Sequence, residues 1–189
     1  MSTTLDEIII LSKDANGLAL RSLLQTALNS ATILHLSPLL HLAPPPSDCP
    51  SAPFYELIRI YHDGDVSSFN EWQKRNGKAG VNANFDAKFN IIAFLSYASK
   101  QPSPKVPIND LCAHLSLPQD SVESTIRSAI YQGFYSGKIS HLGGDGEDYV
   151  FGTVTYDFGW KGEEDIQGIV AGLKAVRQRV ATVKKGLTV

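Results

Sequence analysis

The amino-acid sequence predicts a mostly α fold in which antiparallel helical hairpins form a repeat-like or bundle layer, followed by a winged-helix subdomain and a C-terminal helix. Three observations predict it. Between residues 105 and 154 the signals of helix, turn, helix and hairpin follow one another in that order. Upstream, short amphipathic segments are separated by brief breaks such as Asn16-Gly17 and Asp63-Gly64. Downstream of Trp160, apolar residues step by three and four alternately. The expected boundaries are 1–100 for the helical hairpins, 101–158 for the winged helix and 159–189 for the last helix.

The first helix starts after Thr4, because Glu7 stands three residues beyond it in a capping box, and it runs through Leu11 to about Asp14. From Leu18 to Asn29 a second helix places Leu20, Leu23, Leu24, Ala27 and Leu28 on one stripe. Ser37-Pro38 opens a short third helix through Leu42, with proline in the permitted first turn. Five prolines between Pro44 and Pro53 remove donors and fix φ, so this stretch reads as an exposed loop. Helical signal resumes from Phe54 to Tyr61, breaks at Asp63-Gly64 and restarts after an Asp65 cap as Val66 to Arg75, an αα-hairpin. Asn76 to Asn84 reads as a loop. The apolar helix from Phe85 to Lys100 follows, with Phe85, Phe89, Ile92, Ala93 and Tyr97 near one face.

In the winged-helix stretch, Pro107 to Leu115 is a short amphipathic helix, and Pro118 opens a second that runs to about Gly133. Its apolar residues Val122, Ile126, Ala129 and Ile130, with Phe134 beyond, recur at helical spacing, while Asp120, Glu123, Ser124, Arg127 and Ser128 take the other face. Lys138 to Leu142 and Tyr149 to Val154 read as the two wing strands, with Gly143-Gly144-Asp145-Gly146 as the turn. Tyr149 and Phe151 are the candidate interface residues of this unit.

Composition bounds the function. With 189 residues, 43% of them hydrophobic, the chain can bury a sizeable core. Seventeen basic against nineteen acidic side chains provide no overall field toward nucleic acid or anionic membranes. Cys49 and Cys112 show neither a CxxC spacing nor a disulfide framework, which fits a reducing intracellular setting. The N-terminus lacks a basic region and its apolar run Ile8-Ile9-Ile10-Leu11 is too short for a span, so a soluble, unprocessed chain is expected.

Chemical motifs are missing. None of His35, His41, His62, His114 and His141 falls in an HxH or HExxH arrangement, so no metal and no cofactor is expected. The glycine cluster lies between strands rather than ahead of a helix N-terminus, and Cys112 and His114, two apart on a helix, point to different faces. An enzyme is not expected. Winged helices commonly read DNA, but the second helix offers Asp120 and Glu123 with a single arginine, and Asp145, Glu147 and Asp148 crowd the wing tip. A protein-docking use of the winged helix is the expectation that remains.

Helical hairpins running without a break into a winged helix resemble the PCI-domain family, the module shared by the proteasome lid, the COP-9 signalosome and translation initiation factor three. Asp6 to Lys13, then Gly17-Leu18-Ala19-Leu20 and Leu36 to Leu42, are similar to the opening of the signalosome's subunit-seven family. So are Tyr55 to Tyr61 with Gly64 and Phe69, and the segment Ser124 to Ile139. The proline loop, the Gly/Asn loop near Gly77 to Asn84, and His62-Asp63 depart from that pattern. The resemblance implies a non-catalytic scaffold subunit of the complex that removes the modifier Nedd8 from cullin-RING ubiquitin ligases. Its partners would be other PCI-domain subunits and the metalloprotease-type subunits, met through PCI-PCI and helical-bundle contacts in cytoplasm and nucleus. A PCI subunit of initiation factor three or of the proteasome lid is the alternative, and a winged-helix nucleic-acid-binding protein is the second.

The last helix carries the rest of the expected interface. Ile166, Ile169, Leu173, Val176, Val180, Val183 and Leu187 form a heptad-like seam, narrower than an ordinary surface stripe. Gly168 and Gly172, four apart, would let another backbone approach closely. Glu163-Glu164-Asp165 at its start and Arg177, Arg179, Lys184 and Lys185 toward its end match the helix dipole.

Overall fold

The structure is a computed structural model, and it describes residues 4–77, 80–140 and 148–156. Among these residues it is mostly helical, with seven α-helices, one 3-10 turn and a three-stranded antiparallel sheet. Helix α1 (Leu5–Asp14) begins with the capping box that the sequence predicts: the Glu7 N–H donates to Thr4 Oγ1 and the Thr4 N–H to Glu7 Oε2. Helix α2 (Gly17–Asn29) buries Leu20, Leu24, Ala27 and Leu28, and leaves Leu23 half-buried at the edge of its stripe. The expected third helix is a 3-10 turn over Ser37–His41, since five residues opened by a proline are too few to propagate an α-helix.

The proline-rich connection ends in helix rather than loop. Helix α3 (Ala52–Asp63) takes Pro53 into its first turn, where no intrahelical donor is lost, and Ser51 just ahead of it is fully buried. Gly64 closes α3 in the left-handed conformation, its N–H reaching the Ile60 and Tyr61 carbonyls. Asp65 then caps helix α4 (Val66–Asn76) by accepting the Ser67 and Ser68 N–H groups. The hairpin is pinned by Trp72, whose Nε1 donates to the Pro53 carbonyl at 2.9 Å.

Helix α5 (Ala83–Lys100), capped by Asn82, is the central helix of the described residues. The sequence predicts one apolar face, but the helix is enclosed on several sides: Phe85, Phe89, Ile91, Ile92, Ala93, Phe94 and Leu95 are all buried. The reason is tertiary. Helices α2 and α3 pack on it from the hairpin layer, while the winged-helix elements pack on it from the other half of the chain. Tyr61, Phe69, Phe85 and Phe89 form an aromatic cluster on the hairpin side, the Phe69 and Phe89 centroids 4.4 Å apart.

The winged-helix unit comprises β1 (Lys105–Pro107), α6 (Ile108–Leu115), α7 (Gln119–Tyr131), β2 (Tyr135–Ser140) and β3 (Tyr149–Val154), with sheet order β1-β3-β2. Strand β1 is an addition to the sequence-based elements. Strand β2 starts three residues earlier than expected, because Gly137 is a strand residue paired with Gly152 rather than part of a turn. An added Cβ at either glycine would collide with the opposite backbone and with the Tyr135 ring, so the close approach of the two strands depends on both. Residues 141–147, with the expected Gly143–Gly146 turn, lie outside the described residues. So do the residues after Trp160 expected to form the C-terminal helix, with Gly168, Gly172 and the seam from Ile166 to Leu187.

Tyr156 ties the wing hairpin to the helical layer. Its hydroxyl lies 3.4 Å from both His35 Nδ1 and the Leu34 carbonyl, the carbonyl to which Tyr61 also donates at 2.8 Å. Its ring meets Phe134 edge-on at 5.0 Å. No helix among the described residues is long and apolar enough to cross a membrane.

Candidate docking surface

Alternation along the sheet sorts its residues into two faces. Val106, Tyr135 and Val150 turn inward and are buried, with the Tyr135 ring edge-on to Phe94 of α5 at 5.1 Å. Burial pushes the Tyr135 hydroxyl up to about 12. The outward set follows from the register: Lys105 stands opposite Phe151, Phe151 opposite Lys138, and Tyr149 opposite Pro107 and Ser140. The two candidate interface residues, Tyr149 and Phe151, therefore share this outer face, both half-buried, with ring centroids 6.2 Å apart.

Lysine chemistry frames these rings. Lys105 Nζ stands 3.6 Å from the Tyr149 centroid and 6.0 Å from that of Phe151, a cation-π arrangement reaching across from the neighbouring strand. Lys138 is exposed on the other side of Phe151. The outer face is thus an aromatic strip between two cations, suited to a partner that offers apolar contact and carboxylates. Sequence reasoning missed Lys105, because only the pairing of β1 with β3 brings it to the rings. It also missed Tyr131, which ends α7 with 88% of its surface exposed. An aromatic near the end of an expected amphipathic helix, off its apolar stripe, was the available signal.

The polar face of α7 is largely engaged with itself. Arg127 Nη2 donates to Glu123 Oε2 at 3.0 Å, and Gln119 Nε2 donates to Glu123 Oε1 and to Asp148 Oδ2, linking the helix to the start of β3. Asp120 and Ser124 remain exposed. A phosphate backbone would meet carboxylates here and an arginine already paired.

No family model matches the chain, and no curated protein matches it. The remaining titratable groups speak for structure. One side of the His114 ring lies tilted against Tyr97, centroids 4.4 Å apart, and the partial desolvation there, then Lys100, lowers its pKa. The His62 ring is buried and meets Ser37 Oγ at 3.0 Å through Nδ1. Among the described residues no group of three or more His, Cys, Asp or Glu side chains is placed to hold a metal ion.

Proposed function

We propose that this chain is a non-catalytic scaffold subunit of the COP-9 signalosome, built on a PCI domain and working by protein-protein contact in cytoplasm and nucleus. The observation that carries the reading is α5, an 18-residue helix enclosed by helical hairpins from one half of the chain and by the winged helix from the other. Such a shared core joins the two halves in one compact unit, which suits a scaffold. The outer sheet face with Tyr149 and Phe151, and the apolar seam from Ile166 to Leu187, are the surfaces assigned to other PCI-domain subunits and to the metalloprotease-type subunits. The sequence resemblance to the subunit-seven family supports the choice of complex.

The test is a pull-down of the tagged full chain from its source cells, followed by mass spectrometry. Co-purification of signalosome subunits in stoichiometric amounts is expected. Recovery of initiation factor three or proteasome-lid subunits instead would keep the scaffold role and replace the complex. Recovery of the chain alone would overturn both.

A further inference from the structure

The sequence holds two Ser-Pro pairs, and the structure separates them. Ser37 is 5% exposed and its Oγ stands 3.0 Å from His62 Nδ1, so that hydroxyl is closed to an enzyme. Ser103 lies in Gln101-Pro102-Ser103-Pro104-Lys105, the connection from α5 to β1, where every residue from Pro102 to Lys105 is exposed. Gln101 leaves α5 with extended dihedrals, and a residue ahead of a proline is held out of the helical region, as Gln101 and Ser103 both are placed to be. The connection is thus chain that a kinase cleft can take without unwinding a helix. Neither proline has an N–H whose partner must be given up. The Gly152 N–H, donating to the Pro104 carbonyl at 3.0 Å, pins the downstream end to the sheet.

This serine adjoins the outer sheet face. The Lys105 N–H donates to Ser103 Oγ at 3.2 Å, and the ammonium of the same lysine stands 3.6 Å from the Tyr149 centroid. We propose that Ser103 is a phosphorylation site for a proline-directed protein kinase, and that its phosphate draws the Lys105 ammonium off the Tyr149 ring and weakens the docking of carboxylate-bearing partners. In the transfer, Ser103 Oγ attacks the terminal phosphorus of ATP; the new O–P bond forms as the bond to the bridging oxygen breaks. ADP leaves, and the hydroxyl proton passes to the kinase's base. Pro104 suits such a kinase, whose subsite after the acceptor offers an N–H no partner.

Charge carries the effect to the face. A phosphoserine holds about −1.5 to −2 charge at neutral pH and three acceptor oxygens. An ammonium-phosphate hydrogen bond is charge-assisted and stronger than a cation-π contact at an exposed ring, so Lys105 moves to the phosphate. The face that Lys105 and Lys138 frame loses its net positive charge, and a partner's carboxylates meet like charge inside the roughly 8 Å over which physiological salt leaves it felt. This inference rests on the reading of the outer sheet face as a docking surface.

The experiment treats the full chain with a purified proline-directed kinase and Mg-ATP and maps the product by fragment mass spectrometry. Phosphate is expected on Ser103 and not on Ser37, and on neither in Ser103→Ala or Pro104→Ala; the second variant keeps the hydroxyl and decides if the first proves unstable. Chain isolated from its source cells under phosphatase inhibitors should carry the same mark. The Lys105 ε-methylene resonance, displaced by the Tyr149 ring current in the unmodified chain, should move to the position of a free lysine on phosphorylation. No phosphate on Ser103, in either preparation, would overturn the site, and a stationary Lys105 resonance would overturn the displacement. Neither readout needs a partner. On beads bearing the phosphorylated chain, recovery of the subunits that the unmodified chain captures should fall about tenfold, while kinase-treated Ser103→Ala recovers wild-type amounts. Equal recovery by the phosphorylated and unmodified chains would overturn the switch. No recovery by either overturns the docking reading and the switch with it, and the first two readouts still decide the site and the displacement.

Discussion

Lys88 Nζ lies 2.8 Å from the carbonyl oxygen of Ile33, and 3.3 Å from that of Ala27, inside a pocket that leaves the residue 4% exposed. A lysine of the central helix thereby satisfies carbonyls at the end of α2 and just beyond it, where helix geometry supplies no donor. Desolvation lowers its pKa to about 8 from the ordinary 10.5. Between those values the unfolded chain binds a proton that the folded chain does not, so this group adds stability as pH rises. Compared with Lys88→Met, the wild type should gain about 1–2 kcal/mol of relative stability between pH 8 and 10, read by denaturant melts. Tyr135 and Tyr61, both raised by burial, oppose the trend above pH 10 in both proteins, and the difference between the two cancels them. A flat difference across that window would show that Lys88 is not desolvated as described.

Gly64 is a tight point between the hairpin layer and α5. Its φ is +64°, and a Cβ there would stand 2.8 Å from Ser96 Cβ and 3.1 Å from Ala93 Cα on α5. Ser96 Oγ already donates to the Asp63 carbonyl at 2.8 Å, so it has little freedom to retreat. Gly64→Ala combines a left-handed strain with a clash against a buried helix, and should cost roughly 2–4 kcal/mol. A thermal or urea melt within about 0.5 kcal/mol of wild type would contradict the packing of α3 against α5.

What the sequence made legible here was local chemistry. The Thr4-Glu7 capping box, the Gly64 stop and the Asp65 cap each satisfy backbone groups within a few residues, and all three are present. What it hid depended on distant partners. Lys105-Val106-Pro107 is a three-residue strand with a proline, too short to show alternation, and it exists because β3 offers it an edge. The enclosure of α5 was hidden because burial on several sides erases the amphipathic signal, and the polar Lys88 and Ser96 inside it disguise the core. The docking face was half legible: alternation in β3 puts Tyr149 and Phe151 on one side, while the cation above them comes from a residue more than forty positions away.

The purified chain should show no sequence-specific binding to duplex DNA at physiological salt. Arg127 is held by Glu123, and Asp120 stands exposed on the same helix, so α7 offers the major groove little positive charge. Fluorescence anisotropy with duplex pools, repeated across a salt series, measures this. A sequence-dependent shift with a steep salt slope would contradict it.

The outer sheet face can be tested without dismantling the sheet. Tyr149→Thr with Phe151→Thr keeps residues suited to strands while removing both rings and the seat of the Lys105 ammonium. The inward Val106, Val150 and Tyr135 are untouched, so folding should survive, with the lost cation-π contact costing about 0.5–1 kcal/mol. Recovery of partner subunits in the pull-down should fall at least tenfold. Wild-type recovery would remove this face from the interface.

The C-terminal seam is the other surface assigned to partners, and its sequence allows a sharper test. Leu173 and Val180 are seven apart in a pattern of apolar residues spaced three and four, so a single helical partner would meet both. A carboxylate at each would sit in the dry part of such a contact, where an unpaired charge costs several kcal/mol. Leu173→Asp with Val180→Asp should therefore abolish incorporation into the complex, read by co-purification, while circular dichroism and the melting temperature of the isolated chain stay near wild type. The outcome separates two uses of the same seam. If the helix packs only on its own chain, the double change unfolds or destabilises the isolated protein; if the seam is idle, the variant co-purifies at wild-type levels. Either result would move the assembly contact away from residues 166–187 and leave the sheet face to carry it.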